Sequence, residues 1–248
     1  ASHVALALLD SLLPQARNGD AKAQYRVYEL LAGCENEYAM YYSLGEKLLG
    51  NEEAAIRMQA LGSIDEYAVE VYRMCHRLMQ EQVALTETAD DWLDKALEQG
   101  HPMAQATRAS ELISAVEFDN PAAGYPPAPP NALRDARALL KTAVRSGDPH
   151  ALRMLGELRP ALGGSAEEAG KERWAMTLAA CARGMECGTD ALWVKRYCKA
   201  DPANLGPLDA DAEAMIRSKT GSDFEMIKMR AREINELIDA GKGAELVP

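Results

Sequence analysis

The sequence predicts an all-α protein built from stacked helical hairpins, and three observations lead there. Apolar residues recur at helical spacing along the chain, and no stretch needs a strand. Two Phe and three Trp, against abundant Ala, Leu and Met, suit helix-on-helix packing more than a sheet. A short punctuation also recurs: "GDAKA" from residue 19, "GNEEA" from 50, "GHPMA" from 100 and "GDPHA" from 147.

Each copy starts with a Gly, the residue that enters the left-handed conformation ending a helix at least cost. A cap-like residue follows (Asp20, Asn51, His101 or Asp148), then two helix-starting residues and an Ala. Pro102 and Pro149 stand at first helical positions, where a missing N–H costs nothing. Ala23, Ala54, Ala104 and Ala151 are small enough to let two helices approach around a tight turn. The hinge glycines are 31, 50 and 47 residues apart, near the spacing of two-helix repeats once insertions are allowed.

Taken in order, the pattern predicts helices over 3–18, 20–33, 35–49, 51–61, 64–82, 87–99, 102–116, 132–146, 149–159, 167–183, 189–199, 209–218 and 223–240. Residues 118–131, "FDNPAAGYPPAPPN", hold five prolines and no apolar period, and read as a stiff surface loop. The chain thus divides into N-terminal acidic, Tyr-rich helical repeats (1–117), this insertion loop, and C-terminal helical repeats (132–248). In the final helix, 223–240, Ser222 and Glu225 have the spacing of a capping box. Phe224, Ile227, Ile234 and Ile238 share one face of it, and Gly241 ends it. It suits a terminal cap over the last repeat's apolar face, or alternatively a partner-binding helix.

"WLDKALEQGHPMAQA" (92–106) and "ALLKTAVRSGDPHALRMLGEL" (138–158) resemble the Sel-one-like repeat, a relative of the tetratricopeptide repeat. Lys95, Ala96, Gly100 and Ala104 match its pattern in one copy, and Gly147, Ala151, Leu155 and Gly156 in the other. "QARNGDAKAQYRVYELL" (15–31) is a third copy, and the resemblance covers roughly residues 10 to 185. It implies a right-handed α-solenoid that binds other proteins. Bacterial proteins of this kind assemble envelope machinery or neutralise toxins delivered by neighbouring cells.

The net charge of −11 is carried wholly by the first half: residues 1–120 hold 9 Lys and Arg against 20 Asp and Glu, while residues 121–248 hold 18 of each. This excludes a phosphate-neutralising basic face, so nucleic acid is not an expected partner. A basic protein steered to the N-terminal half is one reading of the charge, and solvated helix faces are the other. No apolar run approaches the roughly 18 residues that span a bilayer, so no transmembrane segment is expected.

Of five cysteines, Cys34 and Cys75 lie 41 apart, about one repeat, a spacing that suits neighbouring hairpins. Cys187 with Cys198 would clip a helix to the loop before it and leave Cys181 free. Disulfides would place the chain in the periplasm or outside the cell; buried free thiols would suit the cytoplasm. Cysteine-rich members of the repeat family also cross-link paired helices. The opening "ASHVALALLD" has no cationic region before its apolar residues and is read as no intact signal peptide.

Seven of nine tyrosines fall within residues 25–72. Tyr25 and Tyr28 share one helical face, and Tyr38, Tyr41 and Tyr42 another, with Glu29, Glu35, Glu37 and Glu46 interleaved. They either fill the repeat core in place of Phe or line a groove, where Tyr25, Tyr28, Glu37, Tyr38, Tyr41 and Tyr42 would grip a Lys- or Arg-rich peptide.

Catalytic chemistry finds little support. His101 and His150 belong to the hinges, and adjacent Cys75 and His76 point about 100° apart on a helix, so they make no dyad. Neither closely paired CxxC nor HExxH spacing occurs, no glycine-rich phosphate loop is present, and Glu52-Glu53 and Asp90-Asp91 sit at helix starts, where the macrodipole favours them. No catalytic residue, metal or cofactor is expected. The sequence therefore reads as a protein-interaction scaffold or adaptor; a toxin-neutralising immunity protein is the alternative, and an all-α enzyme a second one.

Overall fold

The computed structural model describes residues 4–45, 87–119, 127–163, 165–191, 193–194 and 210–248, and of residues 4–6 and 35–45 it describes the backbone alone. Among them every regular element is helical. The α-helices are α1 (Val4–Arg17), α2 (Ala21–Gly45), α3 (Ala89–Glu98), α4 (Pro102–Glu117), α5 (Ala132–Arg145), α6 (Pro149–Leu162), α7 (Ala166–Ala182), α8 (Ala212–Thr220) and α9 (Phe224–Asp239). Short 3₁₀ turns occupy Gly221–Asp223 and Gly243–Leu246. The hinge at Gly50 and the helices expected over 51–61 and 64–82 lie outside the described residues.

The three described hinges are built as their residues dictate. Gly19, Gly100 and Gly147 hold φ of 90°, 74° and 75°, the left-handed region that a Cβ disfavours. At Gly100 the chain closes a helix C-cap, with the His101 N–H reaching the Ala96 carbonyl at 3.0 Å and the Gly100 N–H that of Leu97 at 2.9 Å. The next helix starts at once: Asp20 Oδ1 accepts from the Ala23 N–H at 2.8 Å, and Asp148 Oδ1 from the Ala151 N–H at 2.9 Å. Ala23, Ala104 and Ala151 are all buried, as close packing around each turn requires.

Two compact units form, Ala1–Ala104 and Gln105–Pro248, the division falling within α4. In the first, α1 and α2 make a hairpin and α3 packs on α2. Leu9, Leu13 and Ala16 of α1 meet Ala23, Val27 and Cys34 of α2, with Trp92 of α3 completing the cluster. Buried Gln24 bridges the turns: its Nε2 donates to the Ala16 carbonyl at 3.0 Å, while its Oε1 accepts from Gln99 Nε2 at 3.3 Å. The Ala16 carbonyl at the helix end thereby accepts twice, from Gln24 and from the Gly19 N–H at 3.0 Å.

In the second unit, α5 and α6 form a hairpin, α7 packs on α6, α9 on α7, and the C-terminal 3₁₀ turn returns to α5. Leu140, Leu152, Leu155, Met176, Phe224 and Ile234 are buried at its centre, each side chain contributing about 1.5–3 kcal/mol of transfer free energy. α6 and α7 approach closely because position 156 is Gly: a Cβ there would stand 3.2 Å from both the Arg173 carbonyl oxygen and Met176 Cβ.

Two local expectations are corrected. The break expected between residues 33 and 35 is absent, and α2 runs unbroken from Ala21 to Gly45. A single Gly33 costs a helix interior only about 1 kcal/mol, and the following Cys34 is buried in the α1–α2 cluster, held by packing. The capping box of Ser222 and Glu225 also does not form. Residues Gly221–Asp223 adopt a 3₁₀ turn, so Ser222 lacks the extended backbone of an N-cap, and the Asp223 carboxylate turns to Lys171 on α7 at 3.1 Å. The apolar face is as read: Phe224, Ile227, Ile234 and Ile238 are buried, and Gly241 ends the helix at φ 74°.

Candidate interaction surface

In the first unit the tyrosines divide by role. Tyr25 is 6% exposed and packs with Leu93, Ala96 and Ala104, so of the two readings it takes the core one. Its ring stacks on His101, centroids 4.9 Å apart and planes 20° from parallel, which holds the α3–α4 hinge against α2. Tyr28, one turn on, is half-buried, 5.6 Å from Tyr25 between centroids, and touches both clusters of the unit. Glu37, Tyr38, Tyr41 and Tyr42 continue along the same helix α2, and their side chains lie outside the described residues.

The exposed face of α3 has a more definite character. Thr88 caps this helix through a reciprocal box: the Asp91 N–H reaches Thr88 Oγ1 at 3.2 Å, and the Thr88 N–H reaches Asp91 Oδ2 at 2.7 Å. These bonds to Thr88 hold the Asp91 carboxyl below its ordinary pKa. Trp92, Leu93 and Ala96 turn inward, which leaves Asp90, Asp94 and Glu98 exposed at four-residue intervals. Lys95 Nζ lies 3.2 Å from Glu87 and 4.2 Å from the centroid of the Trp92 ring, and Arg17 reaches Glu87 at 3.8 Å. One acid, Glu87, thus takes two cations.

The sequence alone places Asp90 and Asp91 at a helix start. The signal for the stripe was present, since 90, 94 and 98 are i, i+4 and i+8 on one helix.

The cysteines fall differently from expectation. Cys187 bonds to Cys181, not to Cys198, and Cys198 lies outside the described residues. After α7 the chain reverses at Gly184, φ 100°, with the Met185 N–H on the Ala180 carbonyl at 3.1 Å. That turn brings the Cα atoms of Cys181 and Cys187 to 5.7 Å, a spacing a disulfide spans without distortion. Cys34 is disulfide-bonded too, to a cysteine outside the described residues, where Cys75 also lies.

Among the described residues no group of three or more His, Cys, Asp or Glu side chains is placed to hold a metal ion. His101 begins α4 and the exposed His150 begins α6, as the hinge pattern required. No described helix is long and apolar enough to cross a membrane. No family model, curated protein or solved structure matches the chain.

Proposed function

We propose that this chain is a non-enzymatic interaction scaffold, a right-handed α-solenoid of Sel-one-like repeats whose first unit presents an acidic helical face to a basic protein partner. The carrying observation is the Asp90, Asp94 and Glu98 stripe. Exposed carboxylates at i, i+4 and i+8 present one helical face to a partner's Lys or Arg side chains. Such a surface speeds encounter and selects a partner by sign more than it adds raw affinity. The three hinges of common design, each closing a pair of helices, support the repeat reading.

Two disulfide-bonded positions, Cys34 and the Cys181–Cys187 pair, support an oxidising compartment, periplasmic or extracellular. The test is capture from a periplasmic extract with the wild-type chain and with the Asp90→Asn, Asp94→Asn, Glu98→Gln variant. The reading requires a basic protein retained by the first and lost by the second at equal helicity. Equal capture by both would remove it. One dedicated stoichiometric partner would favour the immunity-protein alternative over a general adaptor.

A further inference from the structure

In the second unit the Cys181–Cys187 disulfide lines an open pocket of about 420 Å³ between α7, the start of α8 and the middle of α9. Both cysteines are half-buried, whereas Cys34 is 1% exposed, so this is the accessible disulfide of the two. Reach alone would make it reducible; the other walls make it selective. Glu213 and Lys228 meet across the pocket at 2.9 Å and neutralise each other, and the Asp211 carboxylate caps its own helix at the Ala214 N–H, 2.8 Å away. Arg232, exposed on the α9 side, makes no ion pair among the described residues. Asn235, one turn on, keeps a buried Oδ1 with no hydrogen-bond partner.

We propose that the pocket is a thiol–disulfide exchange site for a small peptide thiol bearing a carboxylate. The carboxylate meets the Arg232 guanidinium, and the thiol faces the Cys181–Cys187 bond. In the exchange, the incoming thiolate attacks one Sγ as the Sγ–Sγ bond breaks. A mixed disulfide forms, and the other cysteine leaves as a thiolate that takes a proton from water. A second thiolate of the same class then attacks the ligand sulfur of the mixed disulfide, releasing the second cysteine thiolate. The small thiol leaves as its oxidised dimer and the protein as the dithiol.

The test exposes the intact protein separately to reduced glutathione, neutral 2-mercaptoethanol and cationic cysteamine at low ionic strength, and follows mixed disulfides by peptide mass. Each thiol is compared across wild type, Arg232→Gln and Arg232→Lys, so that differences in thiol acidity cancel. Adducts should appear at Cys181 or Cys187 before any at Cys34. Glutathione should slow about fivefold in Arg232→Gln, the factor one charge pair ~4 Å apart supplies in water, and recover in Arg232→Lys. The 2-mercaptoethanol rate should not change, and that of cysteamine should rise. An unchanged glutathione rate in Arg232→Gln, an equal fall for the neutral thiol, or first reaction at Cys34 would each overturn the proposal.

Discussion

Arg183, at the end of α7, clamps the α5–α6 hinge: its Nε donates to the Gly147 carbonyl at 3.2 Å across 36 positions of sequence. Its Nη1 continues to Asp239 at the end of α9, 2.8 Å away. One side chain thus ties the turn of one hairpin to the ends of two further helices. Arg183→Ala should lower stability by about 1.5–3 kcal/mol, the range for a hydrogen bond from a charged group, with little from the mostly exposed Asp239. Urea unfolding with an unchanged m-value is the check.

Gly147→Ala should cost a similar amount by a different route. Its φ of 75° disfavours any Cβ, by roughly 1–2 kcal/mol, and that Cβ would meet Arg183 Nη2 at 2.9 Å. Because both changes strike one contact, the double variant should lose less than the two singles added. Full additivity in denaturation would show the clamp to be independent of the hinge.

Gly156→Ala tests the close crossing of α6 and α7. The obstacle is partly backbone, the Arg173 carbonyl, which cannot swing aside as a side-chain tip can. A loss of about 1–3 kcal/mol, typical of an overpacked interior, should appear in thermal unfolding. The higher helix propensity of Ala opposes this by about 1 kcal/mol, so a net gain would place the helices further apart than described.

Acid should weaken the helix starts. The bonds from Thr88 to Asp91, from Ser165 to Glu168, and from Lys228 and Arg217 to Glu213 all hold these carboxyls below their ordinary values. A carboxyl lowered in the folded state contributes stability that is fully present above its unfolded pKa and is lost as pH falls through the folded one. Stability should therefore decline below about pH 4.5, the upper end of the carboxylate range. In Asp91→Asn the decline should be shallower, measured by denaturant titration at stepped pH.

Neutralising the α3 stripe should separate stability from binding. The Asp90→Asn, Asp94→Asn, Glu98→Gln variant should change the free protein's stability by less than about 1 kcal/mol while capture of a basic partner falls. Raising salt should weaken capture by the wild type, because exposed charges are screened. A variant that loses stability along with capture would show the stripe to be structural.

Much of the fold could be read from the sequence because local chemistry decides it. Gly19, Gly100 and Gly147 each stand where a positive φ is needed, and Asp20 and Asp148 each hold the hydrogen bond their cap position implies. The continuity of α2 was not legible, since whether a mid-helix Gly33 breaks the helix depends on tertiary packing around Cys34. The pairing of Cys181 with Cys187 was missed for a like reason: a turn at Gly184, not sequence spacing, sets which sulfurs meet. The stripe on α3 was present as a pattern, but only the burial of Trp92, Leu93 and Ala96 shows that it faces outward.

Hydrogen exchange of the captured complex, compared with the free chain, tests most directly whether the acidic face is the one in use. Slowed exchange centred on residues 89–98 of α3, weakening as salt is raised, is the predicted result. Protection confined to α9, around the exposed Met226 and Met229, with α3 unchanged, would contradict the account.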